Sequence, residues 1–148
     1  MEEPIPGGCA CGKLRYELRS PPFDAGWCHC RICQLVSGAP AMMFASVPAG
    51  DLVFVRGEDL VKRFKSSGFG HRLFCGACGT PIAMLVDHQP ETIDFSVSTL
   101  DRPDAVTPGF HIFYASRIAW FETEDDLPRH DRFRPDTRGL DGRTDPPG

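Results

Sequence analysis

The chain has 148 residues, 41% of them hydrophobic, and a formal net charge of −4. This length is enough for one domain with a real core and too short for two ordinary domains. The net charge is negative and the chain has no run of Lys and Arg, so it lacks the positive charge that would bind a phosphate backbone. We therefore expect no nucleic-acid partner. No stretch approaches the ~20 apolar residues of a membrane span, and residues 1–4 lack the apolar core of a signal peptide, so we expect no membrane partner.

Short strand-like segments recur along the chain between Gly, Pro, Asp and Ser residues. In the first, Leu14, Tyr16 and Leu18 alternate with charged residues in the period of a half-buried strand. Further strands are predicted at 41–47, 52–56, 60–65, 71–75, 82–86, 92–99 and 111–113, while 117–122 is ambiguous. The sequence therefore predicts a small, mainly β fold.

One short helix is predicted at 31–36, closed by Ser37 and Gly38. No segment sustains an apolar period of 3.6 over three turns, and no internal repeat occurs at a fixed period. From about Arg134 onward the chain is rich in charge, Gly and Pro and nearly free of apolar groups. We therefore expect one domain over residues 1–133 and a disordered C-terminal tail over 134–148.

Seven cysteines fall into three tight clusters, and their number and spacing argue against a disulfide framework. Seven is odd, so complete pairing would leave one thiol over, and close spacings such as C-x-C rarely bridge internally. Without an export signal, cysteines indicate a reducing compartment, where they serve as metal ligands or nucleophiles, so we expect a cytoplasmic protein. The clusters are Cys9 and Cys11; Cys28, Cys30 and Cys33; and Cys75 and Cys78.

The first and last clusters together supply four ligands for one metal ion. In an extended backbone Cys9 and Cys11 would point to the same face, about 6.6 Å apart at Cα. The segment 75–79 has the spacing of a metal knuckle, in which two glycines allow a tight turn. One Zn²⁺ held by all four thiolates would be saturated and therefore structural. The alternatives are four unligated core cysteines, or a redox pair at Cys75 and Cys78, for which the thioredoxin-like βαβ context is missing.

The middle cluster supplies three ligands and leaves a position open. Cys28, Cys30 and Cys33 can cap one face of a tetrahedral metal, and the fourth position is then available to water or substrate, as in catalytic zinc sites. A fourth protein ligand would instead make the site structural. Strand alternation turns His29 away from the metal. His111 is a candidate to contact a metal ligand from outside the coordination shell, or to contact substrate. The histidines of the chain are His29, His71, His88, His111 and His130.

Four motifs in this order make the chain resemble a known family. They are GGCACGKLRY at 7–16, CHCRICQ at 28–34 with SGAP at 37–40, FCGACGTPI at 74–82, and PGFHIF at 108–113 with Trp120. From about Ile5 to Pro128 the chain resembles the glutathione-dependent formaldehyde-activating enzyme family, which also includes centromere protein V.

The resemblance implies a β-tent fold, in which antiparallel sheets are pinned by zinc. It implies two zinc ions per chain, which agrees with the division into four and three ligands reached from spacing. The family's activity is carbon–sulfur bond formation and cleavage, in which glutathione and formaldehyde give S-(hydroxymethyl)glutathione. The short chain leaves little sequence for a dedicated glutathione pocket, so we expect a small thiol and a small aldehyde as partners. The implied ligands are Cys9, Cys11, Cys75 and Cys78 for a structural zinc, and Cys28, Cys30 and Cys33 for a catalytic one.

A three-thiolate zinc suits this chemistry because a thiol that coordinates zinc loses its proton and becomes a nucleophile. The charge that develops on the aldehyde oxygen then needs a hydrogen-bond donor, and Gln34 and Ser37 follow the ligands closely enough to supply one. For Ser37 the alternative is a plain turn after a short helix. The predicted enzyme is a carbon–sulfur lyase whose catalytic site comprises Cys28, Cys30, Cys33, Gln34, Ser37 and His111.

Two other functions stay open at this point. The chain could be a non-catalytic, zinc-stabilised binding module, since zinc commonly replaces a large core in small domains. It could also be a thiol-based sensor of metals or electrophiles that uses the three-cysteine cluster. The sequence leaves the oligomeric state undefined. Five aromatic residues are predicted to lie in the core, and some of them could line a pocket beside the open metal: Trp27, Phe44, Phe54, Phe69 and Trp120.

Overall fold

The computed structural model describes residues 3–135, which form ten β-strands and one α-helix. The helix, α1, spans Arg31–Ser37, and short 3-10 helices lie at Ala49–Asp51, Glu58–Leu60, Val97–Thr99, Pro103–Ala105 and Tyr114–Ser116. The described part of the chain is mainly β, as the sequence predicts. The strands are β1 (Ile5–Gly8), β2 (Arg15–Leu18), β3 (Phe23–Cys28), β4 (Met42–Pro48), β5 (Leu52–Arg56), β6 (Val61–Lys65), β7 (Gly70–Cys75), β8 (Pro81–Val86), β9 (Thr92–Ser96) and β10 (His111–Ile112).

The strands form two sheets. The smaller sheet has the order β1-β2-β5, and the larger has the order β10-β3-β4-β9-β8-β7-β6. Neighbouring strands are antiparallel in every pair but one. The exception is β10, which lies parallel to β3 with Ile112 opposite Cys28. This pair places β10 beside the strand that ends at a cysteine of the middle cluster.

The main core lies between the two sheets. In β2 the expected alternation is present, because Tyr16 and Leu18 are fully buried while Arg15 and Glu17 are partly exposed. From the larger sheet, Phe95 packs into the same buried cluster. Full burial of an apolar side chain of this size contributes about 1.5–3 kcal/mol, so the contact between the sheets is the main source of apolar stabilisation.

The opposite face of the larger sheet carries a second, smaller apolar cluster. Along β4, Ala45 and Val47 point into the main core, while Met42 and Phe44 alternate with them and point to the other face. Side chains from α1, from β10 and from Phe110 pack onto this face. Two cysteines of the middle cluster belong to the same group of side chains, so the fold separates the middle cluster from the main core.

Most strands predicted from the sequence are present, with ends shifted by one or two residues. The predicted strand 92–99 is shorter, because β9 ends at Ser96 and the chain continues as a 3-10 helix. The sequence pattern misses β1, which reads IPGG, and β3, in which Asp24 has a φ of 51° next to a register shift. Pro, Gly and Asp are depleted in strands, so the residue pattern did not predict either element as a strand. The ambiguous segment 117–122 is neither strand nor helix.

Two further predictions concern the C-terminal tail and the membrane. The predicted tail, 134–148, lies outside the described residues except for Arg134 and Pro135, so its disorder stays a prediction. Arg134 itself pairs with Asp24, and its Nη2 lies 2.7 Å from Oδ1 of that carboxylate. Within residues 3–135, no helix has the length and apolar character needed to cross a membrane.

We expect Gly57→Ala to destabilise the fold more than Gly38→Ala does. Both glycines have a left-handed backbone, with φ of 73° and 67°, which costs an L-residue about 1–2 kcal/mol. A Cβ at Gly57 would also lie 2.2 Å from the carbonyl oxygen of Lys13, whereas a Cβ at Gly38 meets nothing within 4 Å. Urea unfolding should therefore show a loss of about 1 kcal/mol for Gly38→Ala and at least twice that for Gly57→Ala. Equal losses would contradict the packing at Gly57.

Candidate metal centres and the adjoining cavity

Cys9 and Cys11 lie in a tight turn that joins β1 to β2. The Gly12 N–H closes the turn by donating to the Cys9 carbonyl at 3.0 Å, and Gly12 has a φ of 77°. The two sulfur atoms are 3.4 Å apart. It is this turn that brings the two sulfur atoms together, and not the extended backbone that the C-x-C spacing suggested.

Cys75 and Cys78 lie in the turn between β7 and β8, as the knuckle spacing predicts. The Gly79 N–H donates to the Cys75 carbonyl at 2.7 Å, and Gly79 has a φ of 82°. Gly76 is needed for a different reason, since a Cβ there would lie 2.8 Å from the carbonyl oxygen of Leu60. The two glycines therefore let the chain turn tightly enough to aim both sulfurs to one side.

The two turns meet at one point. Cys11 Sγ and Cys75 Sγ are 3.9 Å apart, and all four sulfurs of the turns lie within 4.8 Å of one another. Thr80 links the turns, because its Oγ1 accepts from the Ala10 N–H at 3.0 Å and lies 3.2 Å from Cys78 Sγ. Hydrogen bonds from Thr80 lower the pKa of Cys78 to about 5. This favours the thiolate, which is the form that binds a metal.

These separations fit a zinc ion. Zn–S bonds of about 2.3 Å at tetrahedral angles place the sulfurs about 3.8 Å apart, close to the 3.4 and 3.9 Å observed. Four thiolates fill a tetrahedral shell, so a metal held here has no position left for substrate. One turn belongs to the smaller sheet and the other to the larger, so a metal at this point would tie the two sheets together.

The middle cluster gathers where β3 leads into α1. Cys28 ends β3, Cys30 is the N-cap of α1, and Cys33 lies in its first turn. The Cys33 N–H donates to Cys30 Sγ at 3.2 Å, and the three sulfurs lie within 4.8 Å of one another. Hydrogen bonds from Cys28 and Cys33 lower the pKa of Cys30 to about 3. The cluster therefore favours negative charge on Cys30.

No fourth ligand joins the middle cluster from the described part of the chain. Within residues 3–135, no histidine or carboxylate completes the group of three sulfurs. His29 and His111 bind each other, with His29 Nε2 2.8 Å from His111 Nδ1. His111 Nε2 lies 3.3 Å from both carboxylate oxygens of Asp125. His111, the candidate from the sequence, and His29, which strand alternation turns away from the metal, are thus engaged in a buried network of their own.

A cavity of about 190 Å³ opens beside the middle cluster. Its walls are mainly apolar, and all three cysteines of the middle cluster border it, whereas the four cysteines of the two turns do not. Of the aromatic residues singled out in the sequence, Phe44 and Phe69 line the cavity. Phe54 packs against the main core, and Trp27 is partly buried. Trp120 is 74% exposed, so its predicted place in the core is wrong. The phenylalanines that line it are Phe23, Phe44, Phe69, Phe110, Phe113 and Phe133.

Gln34 and Ser37 support the cysteine loop through backbone hydrogen bonds. Gln34 Nε2 donates to the carbonyls of His29 at 2.8 Å and of Ser116 at 3.2 Å. Ser37 Oγ donates at 2.6 Å to the carbonyl one turn earlier in α1. Gln34, Ser37 and His111 are not among the residues that line the cavity. Their predicted contact with the reacting atoms stays a prediction.

Arg72 lies against the middle cluster, and the cysteine spacing gave no sign of it. It is in β7 and only 8% exposed, and its Nη2 donates to Cys33 Sγ at 3.5 Å. Its Nη1 and Nε donate to Met42 Sδ at 3.8 Å and to Ser66 Oγ at 3.3 Å. A guanidinium keeps its charge even when buried. Arg72 therefore places a fixed positive charge beside a sulfur of the cluster.

Asp94 and Ser46 form a polar pair in the wall of the cavity. They lie opposite each other in the pairing of β4 with β9, and Ser46 Oγ donates to Asp94 Oδ1 at 2.5 Å. Both residues line the cavity. Burial raises the pKa of Asp94 to about 6, although the Ser46 hydrogen bond and the charge of Arg72 act in the opposite direction. The mainly apolar cavity therefore has two carboxyl groups in its lining, of which Asp24 is paired with Arg134 and Asp94 with Ser46.

We expect Cys78→Ser to remove cooperative unfolding and part of the bound zinc, because Cys78 belongs to the cluster that joins the two sheets. Binding of structural zinc contributes about 10–16 kcal/mol in small zinc fingers, and this energy is coupled to folding. Thermal unfolding followed by circular dichroism, together with zinc analysis, checks the expectation. Ala77→Ser is the matched control, since it alters the same exposed turn without touching a thiol. A Cys78→Ser protein with wild-type melting and full zinc content would contradict the assignment.

We expect Asp94→Asn to stabilise the protein at pH 8 and to change little at pH 4. Because folding raises the pKa of Asp94 from 3.8 to about 6, the folded state favours the neutral acid and loses stability as the pH rises through 6. Each pKa unit is worth about 1.4 kcal/mol, so the amide should restore at most ~3 kcal/mol at pH 8. Urea unfolding at both pH values measures the difference. A loss of stability at pH 8 would show that the carboxylate is favourably solvated.

Comparison with known proteins identifies the family. Residues 4–116 match the glutathione-dependent formaldehyde-activating enzyme family. An uncharacterized lyase of Schizosaccharomyces pombe is 28% identical over 76 residues, which are 51% of this chain and 53% of that protein, so the chain spans about half the length of this curated relative. A Rhodobacter sphaeroides protein of known crystal structure has a similar fold, with a TM-score of 0.55 and 22% identity over 84% of this chain and 99% of that one. The chain belongs to the glutathione-dependent formaldehyde-activating enzyme family.

Proposed function

We propose that this chain is a carbon–sulfur lyase-type enzyme that acts at a zinc ion held by Cys28, Cys30 and Cys33. It adds a small thiol to a small aldehyde and reverses that addition. In the addition a carbon–sulfur bond forms, and the proton that leaves the sulfur ends on the aldehyde oxygen. Family membership supports this class of reaction, and the Schizosaccharomyces pombe relative is itself named a lyase.

The observation that carries the proposal is the contrast between the two cysteine groups. Four sulfurs converge at the junction of two turns and do not line the cavity beside the middle cluster, which suits a structural zinc. Three sulfurs converge at the wall of a cavity, and no fourth ligand joins them from residues 3–135. A catalytic metal needs a position open to substrate, so the group of three is the candidate for chemistry. The proposal therefore includes two zinc ions per chain.

Arg72 is suited to support this chemistry by its charge. Zinc bound by three thiolates would lower the pKa of a thiol that binds in the remaining position. Three thiolates outweigh the charge of Zn²⁺, so a further anionic sulfur would enter an already negative site. The guanidinium of Arg72 donates to Cys33 Sγ, and hydrogen bonds to a charged partner contribute about 1.5–3 kcal/mol. Arg72 thus offsets the repulsion that the incoming sulfur meets.

The side chains behind the cysteines hold the loop in place. His29 lies between two ligands of the cluster and is bonded to His111, which in turn contacts Asp125. Gln34 binds the His29 carbonyl from within α1. These contacts act on the backbone and side chain of His29 from two sides, so they fix the direction in which the flanking cysteines point. We assign them a positioning role.

We expect Cys30→Ser to leave a folded protein that keeps the four-cysteine zinc and loses the second zinc together with the aldehyde chemistry. The three cysteines lie in one local segment, so losing one ligand breaks no contact between the sheets. Zinc analysis and the thiol-dependent consumption of formaldehyde, followed by NMR, measure the two effects. Leu35→Ser is the matched control, because it places a serine at a 66% exposed position of the same helix and should retain both.

Two results would overturn the proposal. The first is a Cys30→Ser protein that binds two zinc ions and consumes aldehyde at the wild-type rate. The second is a wild-type protein whose two zinc ions resist a mild chelator equally and which converts no aldehyde with any small thiol. The second result would favour the zinc-stabilised binding module.

A further inference from the structure

The walls of the cavity are aromatic, and their geometry is that of an aromatic binding site. Phe44 and Phe110 meet edge to face with ring centroids 5.9 Å apart, and Phe113 and Phe133 meet in the same way at 5.1 Å. These are the arrangements that aromatic rings prefer, and a further ring placed among them gains the same contacts. Formaldehyde, with a single carbon, would leave nearly all of this surface without a partner.

The volume of the cavity suits a molecule with a single ring. Apolar cavities of about 150 Å³ in other proteins hold one benzene molecule, and this cavity measures about 190 Å³. Sites that enclose larger ligands usually have about 300–1,000 Å³. The space therefore matches one substituted benzene ring and is too small to enclose a tripeptide.

The charged side chains around the cavity are also unsuited to bind a tripeptide such as glutathione. Glutathione carries two carboxylates and would need cationic partners. Arg72 donates to Cys33 Sγ, and Arg134 pairs with Asp24 at 2.7 Å while its guanidinium lies 4.1 Å from the ring centroid of Phe110. Each of these guanidinium groups thus has an anionic or thiol partner in the protein itself, and the cavity also contains Asp94. The thiol partner is therefore expected to approach from outside the cavity.

The two chemically distinct ends of the cavity are separated along β4. Cys28 lies opposite Met42, and Asp94 lies opposite Ser46, four residues farther along the same strand. At a rise of about 3.3 Å per residue the two ends are offset by roughly 13 Å along β4, and β3 and β9 lie on opposite sides of that strand. An attacking sulfur, an aldehyde carbon and one benzene ring with a substituent in the para position together span a distance of this order.

From these observations we infer that the aldehyde taken by this cavity is an aromatic aldehyde with a hydrogen-bond donor opposite the carbonyl group. This inference rests on the proposed function and names its substrate class. The carbonyl carbon faces the middle cluster, the ring lies among the phenylalanines, and the donor binds the carboxylate of Asp94. A carboxylate accepts several hydrogen bonds, so Asp94 can bind this donor in addition to Ser46. The reaction stays the addition of a thiol across the C=O bond, without a change of oxidation state.

The test uses two aldehydes of equal size that differ in one donor. They are 4-(hydroxymethyl)benzaldehyde and 4-ethylbenzaldehyde, and propanal serves as the aldehyde without a ring. Dissociation constants for the zinc-loaded protein are measured by ligand-observed NMR without thiol. Rates are measured with 2-mercaptoethanol by exchange NMR of the aldehyde proton. We expect both ring aldehydes to bind at least tenfold more tightly than propanal, and the hydroxymethyl compound to bind at least fivefold more tightly than its ethyl analogue.

Two variants test the role of Asp94. Asp94→Asn keeps the shape of the side chain and removes the charge, so the preference for hydroxymethyl over ethyl should fall at least threefold. Because this variant is expected to be more stable than wild type at pH 8, a change in preference would not come from unfolding. Asp101→Asn is the matched control, since Asp101 pairs with Arg15 and does not line the cavity. It should keep the preference.

The outcomes separate this inference from the proposed function. If formaldehyde and propanal react with thiol while the ring aldehydes neither bind nor react, the substrate class is wrong and the proposed function stands. If the ring aldehydes bind with the expected preferences and no aldehyde reacts, the cavity assignment is supported and the proposed function is wrong. If the Asp94→Asn and Asp101→Asn proteins show equal preferences, Asp94 does not bind the donor and the inference is overturned.

Discussion

Two tight turns from different sheets meet in this structure, and the arrangement of the rest depends on that meeting. One turn follows β1 in the smaller sheet, and the other joins β7 to β8 in the larger sheet. The four thiols that they carry lie within 4.8 Å of one another. Without a metal, four thiolates this close together repel one another. A bound metal ion compensates their negative charge and makes the arrangement favourable. The junction thus fixes how the sheets are placed while the main core fills the space between them.

The larger sheet separates stability from chemistry by its two faces. One face packs against the smaller sheet and carries the main core, and the other carries the middle cluster and the aromatic cavity. Because successive side chains of a strand point to opposite faces, one strand such as β4 serves both. Two ionisable groups lie on the cavity side: the buried Arg72 beside Cys33, and Asp94, whose pKa is raised by burial, beside Ser46. Groups of this kind often mark a functional site.

The cysteine groups and most strands could be predicted from the sequence, because both depend on local spacing. The division into four and three thiols follows from spacing and is reproduced by the fold. Arg72 and Asp94 could not be predicted, since their importance depends on which face of a strand each occupies and on partners 39 and 48 residues away. Gln34 and Ser37 stand near the ligands in sequence, but their side chains form hydrogen bonds with backbone carbonyls and amides and with Arg31. Proximity in sequence indicated the right segment without indicating the direction of its side chains.

The central claim is that one metal site is closed and the other open. Cadmium NMR of the protein with both zinc ions replaced by cadmium tests it directly, because each site gives its own signal. The claim predicts two signals, of which one stays fixed when a small thiol is added and the other moves toward the position typical of four sulfur ligands. In the Cys30→Ser protein the second signal should be absent or displaced, which assigns it to the middle cluster. Two signals that both ignore the added thiol would contradict the claim.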